Sequence, residues 1–102
     1  MPIPLIALIL AGAAALAVVV LAIVYYDDII AWFRARNDIK VRDKNNVAFT
    51  IKQKMDNGEY KLVQGIFNKR TEQVVDGQVV QTRMVDERLA DVHGQSELVL
   101  YE

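Results

Sequence analysis

The stretch IPLIALILAGAAALAVVVLAIV, residues 3–24, decides how this chain is read. It is apolar throughout, with Pro4 its one irregular residue. All 12 basic and 13 acidic residues of the 102-residue chain lie outside it, from Asp27 onward. A chain this short cannot build two large cores. An apolar run of this length therefore needs a solvent or a partner of its own. As a helix, Pro4 to Tyr26 would extend roughly 34 Å. That matches a bilayer hydrocarbon core of about 30 Å crossed at a tilt. Pro2 and Pro4 suit the first turn, where a missing amide hydrogen costs nothing. The run predicts a single membrane-spanning helix within residues 1–26.

Two other readings compete for the same residues. Ala13-Ala14-Ala15 and Ala15-Leu16-Ala17 offer the small residues of a signal-peptide cleavage site. No Lys or Arg precedes the run, however, and a signal peptide carries a basic leading region. A wholly apolar helix also suits the interior of a protein assembly, because lipid and protein surroundings favour the same side chains.

Composition orients the predicted span. Arg34, Arg36, Lys40, Arg42 and Lys44 all follow it, and nothing basic but the terminal amine precedes it. The excess of basic residues on the cytoplasmic side then places the N-terminus outside an inner membrane and the C-terminal part in the cytoplasm. Ala7, Ala11 and Ala15, with Gly12, repeat small side chains at a spacing that lets two helices approach closely. These four are the candidate helix-packing residues. Tyr25, Tyr26 and Trp32 follow the run, where aromatic rings favour a membrane–water boundary. Arg34 and Arg36 are placed to reach lipid phosphates. These five are the candidate interface residues. Residues 27–45 read as a juxtamembrane amphipathic helix and linker, with five basic and four acidic side chains.

From residue 46 the periodicity changes. Val47, Phe49 and Ile51 alternate with Ala48, Thr50 and Lys52, as in a half-buried strand. Asp56-Asn57-Gly58 predicts a turn and Tyr60–Phe67 a returning strand. Asp76-Gly77 between Gln73-Val74-Val75 and Gln78–Arg83 predicts a second hairpin. Asp86 has the chemistry of a helix N-cap, with Glu87 in the first turn and Gly94 just past the end. Glu97–Tyr101 predicts a last strand. The expected fold class is α+β: a transmembrane-type helix followed by a small antiparallel β-sheet domain, residues 46–102, with one short helix.

Chemistry is sparse. The chain has no cysteine, which excludes disulfides, thiol nucleophiles and cysteine metal sites. A net charge of −1 argues against a nucleic-acid partner. Ser96 and His93 are the one serine and the one histidine, and no oxyanion hole or orienting group accompanies them. His93 near a helix C-terminus is expected to act as a cation that complements the helix dipole. Asp86, Glu87 and Asp91 fit capping better than a metal loop. No catalytic, cofactor-binding or metal-ligating residue is assigned, and neither a cofactor nor a small-molecule substrate is expected. An apolar helix ahead of a small β-rich part occurs in many unrelated proteins and identifies no family.

The expected function is that of a non-enzymatic single-pass membrane scaffold or accessory subunit. Its expected partners are the lipid bilayer and further copies of the chain or other membrane-complex subunits. The alternative is a structural subunit of a filament, tube or pore with the apolar helices bundled in its core. A β-rich part of fewer than 60 residues without staples is marginal alone, which favours assembly through the sheet or the helix.

Overall fold

The apolar run divides into a helix and a strand. The computed structural model describes residues 4–13 and 16–101. Helix α1 covers Leu5–Ala13 and strand β1 covers Val18–Val24. The division follows side-chain chemistry. The first half is rich in Leu and Ala, which lose little freedom in a helix. The second half is crowded with Val, whose branched Cβ suits a pleated surface. The chain turns between them, with the Leu16 amide donating to the Ala13 carbonyl at 3.0 Å.

This corrects the membrane-spanning expectation. Helix α1 has 9 residues, about 14 Å at the usual rise. Among the described residues, no helix is long and apolar enough to cross a membrane. The single-pass topology and the inner-membrane location with a cytoplasmic domain lose their basis. The run instead divides between a core and a sheet edge, and part of it stays exposed. Helix α1 packs Ile9 and Ala13 into a core, and β1 joins a sheet.

The sheet is built from β1, β2 (Asn46–Lys54), β3 (Tyr60–Asn68), β4 (Gln73–Val85) and β5 (Leu98–Tyr101), in the order β1-β4-β3-β2-β5. The pairs β2–β3, β3–β4 and β2–β5 are antiparallel, whereas β1 runs parallel to β4. The expected all-antiparallel sheet is thus a mixed one. A parallel pair needs a crossover. Here it is long, through helices α2 (Tyr26–Ala35) and α3 (Asn37–Val41) and then β2 and β3.

The second predicted hairpin is also corrected. Asp76 and Gly77 lie inside the 13-residue strand β4. The ladder to β3 shifts there, from Ile66 opposite Asp76 to Phe67 opposite Val74. The extra residue is Val75, accommodated as a bulge, while Gly77 stays in the ladder opposite Gly65. The reversal comes earlier, after Asn68, whose side-chain oxygen accepts from the Arg70 and Thr71 amides at 3.0 and 2.9 Å. The first hairpin turns at Asp56-Asn57-Gly58 as expected, and Gly58 has φ +85°.

Each face of the sheet carries a core. On one, α1 supplies Ile9 and Ala13 against Phe49, Ile51, Val63, Phe67 and Val79. On the other, Ile29 of α2 and Leu89 of α4 (Glu87–His93) meet Val24, Leu62 and Val80. Asp86 joins the two helices of this second face. One carboxylate oxygen accepts from the Leu89 amide at 3.1 Å and caps α4, as its sequence predicts. The other accepts from the Tyr26 amide at 2.8 Å, at the start of α2. These amide bonds, with the Arg88 charge, hold the Asp86 carboxyl below its ordinary pKa of 3.8. Gly94 follows α4 with φ +54°, also as expected.

Candidate functional site

Beneath α4 the sheet buries a chain of polar groups. Thr50 Oγ1 lies 2.7 Å from His93 Nε2 and 2.8 Å from Tyr101 Oη. His93 Nδ1 lies 3.0 Å from the Ser96 carbonyl oxygen. A carbonyl only accepts, so Nδ1 carries the proton and Nε2 of the neutral ring is an acceptor. The Thr50 hydroxyl therefore donates to His93, and the Tyr101 hydroxyl donates to Thr50. The direction of every proton in the chain follows from that one carbonyl. Thr50 and His93 are 0% and 2% exposed, and every buried side-chain polar atom among the described residues has a partner.

This arrangement corrects the dipole-capping role expected of His93. Burial pushes its pKa below the ordinary 6.5, helped by the nearby Lys52 charge and opposed by the bond to Ser96. The ring is held neutral. A lowered histidine pKa means that the unfolded chain binds the extra proton more readily. The contribution of His93 to stability is then complete above about pH 6.5 and is lost as pH falls through the lowered pKa. Urea unfolding at stepped pH values should show this loss on mild acidification. It lies above the range in which Asp43 and Asp86, both lowered from 3.8, begin to titrate. His93→Phe should cost about 2 kcal/mol near neutral pH by orphaning Thr50, and should abolish the acid-side slope. An unchanged slope in that variant would assign the effect elsewhere.

Tyr101 also lines a groove of 520 Å³ between α2, α3 and the β2–β5 edge. Ile30, Phe33 and Ala48 give it apolar walls, and Arg34 and Lys40 bring charge to it. The Phe33 and Tyr101 rings stand 5.2 Å apart between centroids. A second depression, of 670 Å³, lies between Lys52, Lys54 and Tyr60 and the Gly94–Glu97 loop.

The third notable feature is the sheet edge at β1. Val18, Val20 and Leu21 are 56%, 74% and 42% exposed. The strand VVVLAIV carries no charge. Exposed edges in folded proteins are ordinarily blunted by Lys, Pro, a covering loop or a charge turned inward. The β1 sequence contains no such blocking residue.

The residues singled out from sequence are dispersed. Ala7 and Ala11 lie exposed on the outer side of α1, away from the sheet. Gly12 approaches β4 instead of another helix, since a Cβ there would stand 3.0 Å from Val74 Cγ2. Ala15 lies outside the described residues. Tyr25 is 51% exposed, and Tyr26 is half-buried beside the second core. Arg36 pairs with Asp76 at 2.8 Å while its guanidinium lies 3.9 Å over the Trp32 ring. Arg34 lines the groove. Thr50 and Tyr101 were missed. Their parity in strands that pair across the sheet was legible, but which strands pair was not.

Comparison with known proteins adds no assignment: no protein-family model matches the chain, and no curated protein or solved structure is significantly similar to it.

Proposed function

We propose that this chain is a non-catalytic assembly subunit that joins a second copy of itself through the edge of β1. The carrying observation is an outer strand of seven uncharged residues with Val20 74% exposed. Edge pairing gains main-chain hydrogen bonds and covers apolar side chains at once. The strand itself brings no charge to the seam, and the nearby Glu59 and Arg83 are paired with each other at 3.8 Å. The closed, two-fold arrangement is the commonest for soluble homo-oligomers.

The polar chain supports the non-catalytic part of this reading. Thr50, the hydroxyl beside the histidine, is fully buried and its proton is committed to His93. Ser96 meets that ring with its backbone carbonyl.

Val20→Lys tests the proposal. A lysine at an exposed edge blocks pairing at little cost to the fold. Light scattering coupled to size exclusion should give a dimer for the parent chain and a monomer for the variant. A parent that stays monomeric at its highest attainable concentration would overturn the reading. A filament-forming subunit is the second reading, favoured by the free edge of β5 at the far side of the sheet. Pairing of β1 onto β5 of the next copy does not close, and would show as a mass that rises continuously with concentration.

A further inference from the structure

We propose that the groove between α2, α3 and the β2–β5 edge binds a carboxylate carried on an aromatic body. Its volume of 520 Å³ falls within the range of roughly 300–1,000 Å³ usual for small-molecule sites. The walls select the body. Phe33 and Tyr101 present two rings 5.2 Å apart at 43°, and Ile30 and Ala48 complete an apolar lining. A third ring gains edge and face contacts there beyond simple burial.

The charge selects the head group. Arg34 and Lys40 both line the groove, and no acidic side chain does. The ion pairs among the described residues engage Arg36, Arg42, Arg70, Arg83 and Arg88, and Arg34 and Lys40 are among the basic side chains outside them. Two cations beside an apolar wall are placed to receive an anion, and the Arg34 guanidinium offers the planar fork that fits a carboxylate.

The buried polar chain orients the ligand. The Tyr101 hydroxyl spends its proton on Thr50, because Thr50 spends its own on His93 and His93 spends its Nδ1 proton on Ser96. Tyr101 therefore offers an anion no donor, and the neutral donors of the groove are left to Tyr26 and Asn37. The carboxylate sits outward at Arg34, which is exposed, and the ring lies inward against Phe33 and Tyr101.

The test titrates the full chain with 4-phenylbutyrate, and in parallel with the uncharged 4-phenylbutan-1-ol, followed by amide NMR shifts. The carboxylate should saturate shifts around Ile30, Phe33, Ala48 and Tyr101. It should bind about tenfold more tightly than the alcohol, with the difference shrinking as salt is added. The double variant Arg34→Gln, Lys40→Gln should bring the carboxylate down to the affinity of the alcohol. Equal binding of the two probes by the parent chain would overturn the proposal. So would an absence of saturable shifts in the groove, or full carboxylate affinity in the double variant. The probe comparison on the parent chain needs no variant to fold. Repeating it with Val20→Lys separates this site from the β1 edge.

Discussion

Ile9→Asp should destabilise the fold by on the order of 5 kcal/mol, enough to unfold much of the population of a domain this size. Ile9 is 0% exposed. It enters the core formed by Phe49, Ile51, Val63, Phe67 and Val79. An aspartate there loses the packing of the aliphatic carbons beyond Cβ and must either remain charged in an apolar site or fold only when protonated. Ala7→Asp is the matched control. Ala7 lies two residues earlier in the same helix and faces outward, so the same charge should cost less than about 0.5–1 kcal/mol. Urea midpoints of the two variants read the difference directly. The contrast depends on α1 packing against the sheet. If the helix packed elsewhere, along a bilayer or in a bundle of helices, the two positions would not divide this way. Similar midpoints for both would remove α1 from the core.

Gly65→Ala should cost about 3 kcal/mol, an unusual amount for one methyl group. The reason is space, not backbone torsion. Gly65 stands opposite Phe49 in β2 and opposite Gly77 in β4. A Cβ on it would lie 2.5 Å from the Asp76 carbonyl oxygen, 3.1 Å from Gly77 Cα and 3.1 Å from Phe49 Cζ. The first two are backbone atoms of a paired strand and cannot swing aside. The Phe49 ring lies against Gly65 and is held in the core. Gly58→Ala provides the comparison. Nothing lies within 4 Å of its Cβ, but φ is +85°. The cost there is conformational, about 1 kcal/mol. The order Gly65 above Gly58 in denaturant unfolding is the expected result, and a Gly65→Ala loss below about 0.5 kcal/mol would contradict the close packing.

Much of the second half of the fold was legible residue by residue. Asp86, Glu87 and Gly94 predict α4 with its cap, because capping is local: the acceptor and the amide it serves lie three residues apart. Asp56-Asn57-Gly58 predicts its turn for the same reason. Asp76-Gly77 misled because glycine serves tight turns and close strand packing alike, and Gly77 serves the second, opposite Gly65. The choice between them rests on Gly65 and Phe49, which are distant in sequence. The groove was legible only in its parts. Phe33 and Arg34 stand out in α2, but nothing local places Tyr101 beside them.

His93 shows the same limit in electrostatics. Its position at the end of a helix suggests a cation, and the helix does end there. Its charge state is decided chiefly by burial against the sheet, with the Lys52 charge on a strand distant in sequence acting in the same direction.

The apolar run marks the boundary most clearly. Sequence alone determined that residues 3–24 favour apolar surroundings, because they carry no charge and little polarity. It also contained, in the shift from Leu and Ala to Val, the signal for changing from helix to strand. Only the tertiary structure decided which apolar surroundings they enter. The hydrophobic effect is non-directional, so a bilayer, a bundle and a sheet face all satisfy the same side chains. The choice is made by the unpaired edge of β4, whose amides and carbonyls need partners, and by the bare face of Phe49, Val63 and Phe67, which needs Ile9 to cover it.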